Sequence, residues 1–327
     1  MEKVLVTGAT GFTGSSLAGR LLDSGFKVRA LVRPESRHDF LRTMGAEIFR
    51  GDITDRTAVF EAARDMDTIF HVAAAFREAK LPDAVYRDVN VEGTRNVLDA
   101  GLSRGAGRIV HCSTIGVYGD VAEIPADENT PFNPGDIYQE TKTEGELLAS
   151  RYFREKSAPV VIIRPCGIYG PGDMRFLKLF RSICRKRFVM LGDGKTPWHP
   201  VYIDNLVDGF LLCAEKEDIL GEAFIVGDEN YLSLNELAAK IASAVGAAPP
   251  RFRVPAGPVR ALGGLCERVF RPLGLEPPLH RRRVDFFTKA RAFNVSKAEK
   301  LLGYCPRVDI DTGLKLTADW YKKEGLL

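Results

Sequence analysis

"VLVTGATGFTGSSLAG", Val4 to Gly19, decides the fold. An apolar run, Val4 to Val6, leads into Gly8, Gly11 and Gly14 and then into a helix start of small residues. A strand that turns tightly into a helix offers an anion free backbone N–H groups and the positive end of the helix dipole. Gly8 suits the turn, Gly11 leaves room for a pyrophosphate, and Gly14 lets the helix lie close on the strand. Thr10, Phe12 and Thr13 fill the remaining loop positions. Three glycines at these offsets arise by chance in about one chain in ten of this length. The position at the first strand–helix junction is what turns the spacing into a dinucleotide site.

The pattern outward from this loop supplies the rest of a sheet. Short Val- and Ile-rich runs at 3–6, 27–32, 46–50, 68–72, 108–112, 159–163 and 223–226 read as strands buried on both faces. Helical patterns near 12–24, 55–64, 83–102, 136–156 and 203–216 alternate with them. This predicts an α/β fold, a doubly wound parallel Rossmann-type sheet. Residues 1–165 read as the dinucleotide-binding domain, with elements from about 200–228 returning to it. Residues 166–327 read as a smaller, mostly helical substrate cap, with helices near 173–186, 233–246, 258–271 and 311–324. Pro-rich joints at Ala248-Pro249-Pro250 and Glu276-Pro277-Pro278 separate them.

Composition excludes several classes. Lys and Arg number 46 against 43 Asp and Glu in 327 residues, a net charge of +3 with the signs mixed, which argues against a nucleic-acid partner. Arg281-Arg282-Arg283 is a solvated helix face or a contact to a phosphate-bearing ligand. The six cysteines are scattered without a C-x-x-C pair, so no zinc site or disulfide framework is signalled and no metal is expected. No leader pattern precedes the first strand and no apolar run is long enough to span a membrane, so a cytoplasmic location is expected.

The second strand ends in "ALVRPESR". An NAD site usually carries an acid there for the ribose 2′-hydroxyl. Arg33 stands there instead, with Arg29 and Arg37 near, which predicts NAD(P) with NADP preferred, because arginine pairs with a 2′-phosphate. Asp52, followed by Ile53, is placed for the adenine edge, and "HVAAAF" keeps Ala73 and Ala74 small beside the cofactor.

"YQETK" puts Tyr138 and Lys142 one helical turn apart. A nearby ammonium favours the phenolate and readies it for proton transfer. Thr114, at the end of the fifth strand, suits a hydrogen bond to a substrate oxygen. A second Tyr-x-x-x-Lys pair, Tyr152 and Lys156, lies 14 residues on, roughly 21 Å down the helix and away from the ligand end. It reads as packing.

These motifs, together with "NVEGT", "STIGVYG", "RPCGIYGPGD" and "HPVYIDN", resemble the extended short-chain dehydrogenase/reductase family, also called the NAD-dependent epimerase/dehydratase family. The likeness covers nearly the whole chain. It implies Thr114, Tyr138 and Lys142 as the catalytic set with Asn90 as helper. It adds Pro165 and Ile168 on the cofactor, and Phe76, Ile115, Trp198 and His199 on a small-molecule substrate. It also implies a homodimer packed through helices 83–102 and 136–156.

Three departures narrow the reading. Sugar dehydratases place an acid pair where this chain has Ile115 and Gly116. Nucleotide-sugar enzymes tend to have arginine where it has Trp198, although Arg283 is a possible substitute. The tail resembles those of 3β-hydroxysteroid dehydrogenase-like and dihydroflavonol reductase-like members. Its apolar stripe of Val259, Leu262, Cys266, Val269 and Phe270 reads as core, as lining for an apolar substrate, or as a peripheral membrane contact with Arg260, Arg268 and Arg271 outward. The expectation is an NAD(P)-dependent oxidoreductase interconverting a secondary alcohol and a ketone. The alternatives are a nucleotide-sugar 4-epimerase and, more remotely, a non-enzymatic redox-sensing scaffold.

Overall fold

The computed structural model describes residues 2–76, 81–270 and 281–327. The Glu276-Pro277-Pro278 joint and Arg271 lie outside these, as do the side chains of Val269 and Arg281 to Arg283.

Six strands alternate with helices in the first half: β1 (Lys3–Thr7), α1 (Phe12–Asp23), β2 (Lys27–Val32), α2 (Asp39–Thr43), β3 (Glu47–Arg50), α3 (Arg56–Ala62), β4 (Thr68–His71), α4 (Asp83–Arg87), α5 (Gly93–Arg104), β5 (Arg108–Cys112), α6 (Ile137–Lys156) and β6 (Val160–Pro165). A later strand, β11 (Ala223–Val226), pairs with β6 and completes a seven-stranded sheet in the order β11-β6-β5-β4-β1-β2-β3. Every pairing in it is parallel, as the doubly wound pattern requires. Strand alternation sends Val4 and Val6 into one core, against Leu17 and Phe210, and Leu5 into the other, against Val97 and Leu148. Chain order reverses between β1 and β4. The cleft beyond the carboxyl ends of those strands is where such a sheet takes its ligand.

The later part adds three small strand pairs: β7 (Gly167–Tyr169) with β10 (Pro200–Tyr202), β9 (Pro197–Trp198) with β12 (Leu232–Ser233), and β8 (Met190–Leu191) with β13 (Arg253–Val254). Its helices are α7 (Leu177–Cys184), α8 (Ile203–Glu215), α9 (Leu234–Val245), α10 (Ala256–Phe270), α11 (Arg281–Thr288) and α12 (Ile310–Lys323). α7, α9 and α12 enclose a third core around Phe180, Leu237 and Tyr321, while α8 packs on α1 and β6.

The sequence pattern overlooked α2, which is too short to show a helical period, and the two- and three-residue strands, and marked α11 only through Arg281 to Arg283, read there as a helix face. The stripe on α10 is not core. Leu262 is 54% exposed, and Val259, Cys266 and Phe270 are half-buried. Among the described residues no helix is long and apolar enough to cross a membrane.

Candidate active site

A crevice of about 640 Å³ opens at the carboxyl ends of the central strands. Its near wall is backbone. Gly8 sits at φ +71°, and a Cβ there would come within 2.7 Å of the Ala73 nitrogen. A Cβ on Gly14 would meet the Gly8 carbonyl oxygen at 2.2 Å, so close packing of α1 on β1 requires glycine. Gly11 meets nothing nearer than 3.4 Å, and its freedom serves the space in front of it. No side chain caps the start of α1, and the crevice lies before it. Thr10, Gly11, Phe12, Thr13 and Gly14 all line that space. An uncapped, positively polarised helix end behind a glycine cradle fits the pyrophosphate of a dinucleotide.

Arg33, Asp52 and Ile53 line the far end of this wall, as do Ala73, Ala74, Pro165 and Ile168 elsewhere along it. Arg33 is exposed and its Nε lies 3.5 Å from a carboxylate oxygen of Glu35. Asp52 accepts from the Thr54 N–H and hydroxyl at 2.8 and 2.7 Å, which fixes the turn after β3. Arg29 belongs elsewhere. Its guanidinium donates to the Ala62 and Arg64 carbonyls at the end of α3 and pairs with Glu47.

Asp136 caps α6 by accepting from the Gln139 N–H at 2.9 Å, which sets the helix start so that Tyr138 and Lys142 both face the crevice. Tyr138 is 7% exposed, and the Phe76 ring stands edge-on to it with centroids 4.9 Å apart. Lys142 is buried and its Nζ donates to the Cys112 carbonyl at 2.6 Å. Burial lowers its pKa from the usual lysine value, and the Cys112 thiol and the Glu146 carboxylate oppose that shift. Thr114 Oγ1 accepts from the Gly116 N–H at 3.0 Å, which leaves its own hydrogen to donate. Tyr152, by contrast, hydrogen-bonds Asp99 at 2.9 Å and packs in the core away from the crevice.

Buried polar groups hold this set from behind. Glu146, one turn beyond Lys142, takes hydrogen bonds from Ser113 and from Arg164, whose guanidinium also reaches the Tyr118 hydroxyl. Both members of this ion pair are almost wholly buried, so each depends on the other for its charge. His71 lies in a directional chain. Thr94 donates to the Asn90 carbonyl and so accepts from His71 Nε2–H. His71 Nδ1 then accepts from the Thr7 hydroxyl, whose oxygen receives the Ala73 N–H. Burial, and secondarily the Lys142 ammonium, pushes the His71 pKa down to about 3, so the ring is neutral.

Two predicted residues stand off the crevice. Asn90 is buried in a widened helical turn, Asp88–Glu92, and does not line the space. Its amide exchanges two hydrogen bonds with the Ala75 backbone and donates to Thr141 at 2.9 Å, tying the crevice wall to α6. His199 is also buried. One ring nitrogen contacts the Asp228 carbonyl at 2.7 Å and the other accepts from the Phe293 N–H. Both ring nitrogens are taken by backbone groups and the ring lies near those of Tyr231 and Phe293, so it holds the cap together and does not line the crevice.

Phe76, Ile115 and Trp198 line the crevice, joined by Phe176, Phe286, Arg175 and Arg291, which sequence reading missed. Arg175 is held by the buried Asp173 through two hydrogen bonds, Nε to Oδ1 at 2.8 Å and Nη2 to Oδ2 at 3.1 Å, and its guanidinium lies over Phe12. The only sequence signal for Arg175 was its place two residues after the "YGPGD" stretch. Phe286 and Arg291 come from a tail whose motif said nothing about which way it folds back.

The chain matches the NAD dependent epimerase/dehydratase family over residues 4–227. It is 33% identical over 326 residues to the 3 beta-hydroxysteroid dehydrogenase/Delta 5-->4-isomerase of Mycobacterium tuberculosis, covering 94% of this chain and 86% of that one. It is 31% identical over 327 residues to the 2-alkyl-3-oxoalkanoate reductase of Stenotrophomonas maltophilia, covering 96% and 97%. Among solved structures, the UDP-glucuronic acid 4-epimerase from Bacillus cereus in complex with NAD superposes with a TM-score of 0.79 at 25% identity, covering 98% and 99%. Cradle, sheet order, Tyr–Lys pair and relatives agree: the chain is an enzyme of the NAD dependent epimerase/dehydratase family.

Proposed function

We propose that this enzyme interconverts a secondary alcohol and a ketone on a small molecule with an apolar body. The observation that carries the reading is Tyr138 and buried Lys142 facing one crevice that a glycine cradle also lines. NAD or NADP, when bound there, supplies or accepts the hydride. Tyr138 Oη holds the proton that the substrate oxygen gains in reduction and loses in oxidation. Lys142 has two donors beyond the one given to Cys112; they serve the cofactor ribose, and its charge favours the phenolate. Thr114 donates to the substrate oxygen and orients it. Asn90 acts as a positioning residue through Ala75 and Thr141.

The apolar substrate class is supported by Phe76, Ile115, Phe176, Trp198 and Phe286 and by the names of the two relatives. Preference for NADP is supported by Arg33 at the end of β2, with Glu35 as a competing partner. We assign residues 1–165, with the elements of about 200–228 that return to them, to the nucleotide-binding part and the rest of 166–327 to the cap, a division supported by the pairing of β11 with β6 and the packing of α8 on α1 and β6. Homodimer formation through α4 to α6 is supported by Leu147, 47% exposed on α6. A cytoplasmic setting is supported by six free cysteines.

A 4-epimerase remains the second reading because Arg175 and Arg291 line the crevice, and guanidinium groups pair with a diphosphate. Cofactor absorbance, followed with 3-hydroxysteroids and 3-oxoacids in NAD and NADP and beside UDP-glucose, separates the two. Net NAD(P)H change with an apolar substrate supports the reductase reading. Tight UDP-glucose binding with turnover and no net change overturns it.

A further inference from the structure

We propose that the face formed by β8, β13 and α10 docks on an anionic lipid surface. β8 and β13 run parallel with Arg253 beside Met190 and Val254 beside Leu191, and the Met190 N–H donates to the Phe252 carbonyl at 2.9 Å. Side-by-side residues of neighbouring strands share a face, and successive residues alternate. Phe252 therefore stands beside Val189, and Val254 beside Leu191, on one side of the pair. Phe252 is 72% exposed, Val189 40% and Val254 36%, while Phe188 and Met190 on the other side of β8 are buried. α10 begins at the end of β8, where Gly192 faces the Ala256 methyl, and carries the exposed Leu262. An uncovered phenylalanine among aliphatic side chains costs solubility unless something covers it.

The charges around this face select the cover. Arg185, Lys186 and Arg187 lead into β8 and Arg251 precedes Phe252; all are exposed, whereas Arg253, on the other side of β13, donates to the Asp193 carbonyl and to Asn235. Arg260 on α10 is exposed too. From Leu237 to Cys266 the sequence holds no acidic residue, and the nearest carboxylate along β8 is Asp193. A second copy placed symmetrically on this face brings the same cations together, which is unfavourable. A nucleic acid would pair with the arginines but leave Val189, Val254 and Leu262 uncovered. An anionic bilayer meets both needs: headgroups take the arginines and the acyl boundary takes the apolar side chains.

The face is joined to the crevice. The Phe188 ring packs against Phe287 of α11 at 6.3 Å, and Phe287 packs edge-on against Phe286, which lines the crevice. Docking thus places the apolar wall of the site next to the phase in which apolar substrates concentrate. The docking claim itself stands independently of the alcohol–ketone reading.

The test is sedimentation of the full chain with vesicles of phosphatidylcholine alone and of phosphatidylcholine mixed with about one third phosphatidylglycerol, at low and high salt. The proposal expects binding to the mixed vesicles only, and release at high salt. Phe252→Glu should weaken binding at least about tenfold, and Arg185→Gln with Arg187→Gln about fivefold per charge removed, with melting temperatures unchanged. Equal binding to neutral vesicles, no binding to mixed ones, or variants that sediment like the parent would overturn it. So would light scattering in which Phe252→Glu dissociates an oligomer, because the face would then be a protein interface.

Discussion

The two walls of the crevice are built on opposite principles. The cofactor wall is made of backbone and small residues, Gly8, Gly11, Ala73 and Ala74, backed by tightly packed strands. The wall proposed for the substrate is made of bulky side chains, Phe176, Trp198 and Phe286, carried by short elements of the later chain. A dinucleotide has one shape, so the wall that receives it tolerates almost no added atom. A substrate wall made of side chains is set by their volumes and can change without disturbing the sheet.

That contrast can be broken or sharpened by substitution. Of substitutions in the walls, Gly14→Ala should have the largest effect, because its methyl would stand 2.2 Å from the Gly8 carbonyl oxygen. Both the melting temperature and cofactor affinity should fall, the latter about a hundredfold, as for roughly 3 kcal/mol of backbone strain. Gly11→Ala, with 3.4 Å of room behind it, should weaken cofactor binding while leaving the melting temperature nearly unchanged. A stable Gly14→Ala protein with parental affinity would break the backbone-wall account.

Next in size is Arg33→Asp, which should weaken NADP about thirtyfold with little change for NAD, measured by fluorescence titration. Equal losses for the two cofactors would remove the 2′-phosphate role. Phe286→Ala should lower kcat/KM about tenfold through substrate binding and leave the cofactor Kd within about twofold. A comparable loss of cofactor affinity would show that the two walls are not independent.

The effect smallest at neutral pH, and growing as the solution is acidified, is on stability. His71 is neutral in the fold with its pKa down to about 3, whereas the unfolded chain protonates it near 6.5. Between these values the unfolded state binds a proton the folded state does not, so stability is full above about 6.5 and declines as pH falls toward 3. His71→Asn should flatten that part of the thermal-melting profile. An unchanged slope would mean that other groups govern acid sensitivity.

The cofactor wall was legible in the sequence because its requirements fall on residue types at fixed offsets. Three glycines after an apolar run allow few other structures, and Tyr138 and Lys142 share a helical period. The substrate wall was not legible, because Phe286 and Arg291 reach the crevice through long-range packing that leaves no periodic signal. His199 and Asn90 show the same limit from the other side. Both sit in motifs that belong to the site, yet their side chains serve the backbone behind it. Arg29 was near Arg33 in sequence but lies within β2, where the Ala62 and Arg64 carbonyls and Glu47 hold its guanidinium, whereas Arg33 follows the strand end and lines the crevice.

The most direct test of the central claim, that the Tyr138 hydroxyl is the proton carrier of this site, is the turnover of Tyr138→Phe beside its cofactor affinity. The variant keeps the ring against Phe76 and loses only the hydroxyl. Cofactor Kd should stay within about twofold while kcat falls by about three orders of magnitude or more. Turnover within about tenfold of the parent, at unchanged cofactor affinity, would contradict the account.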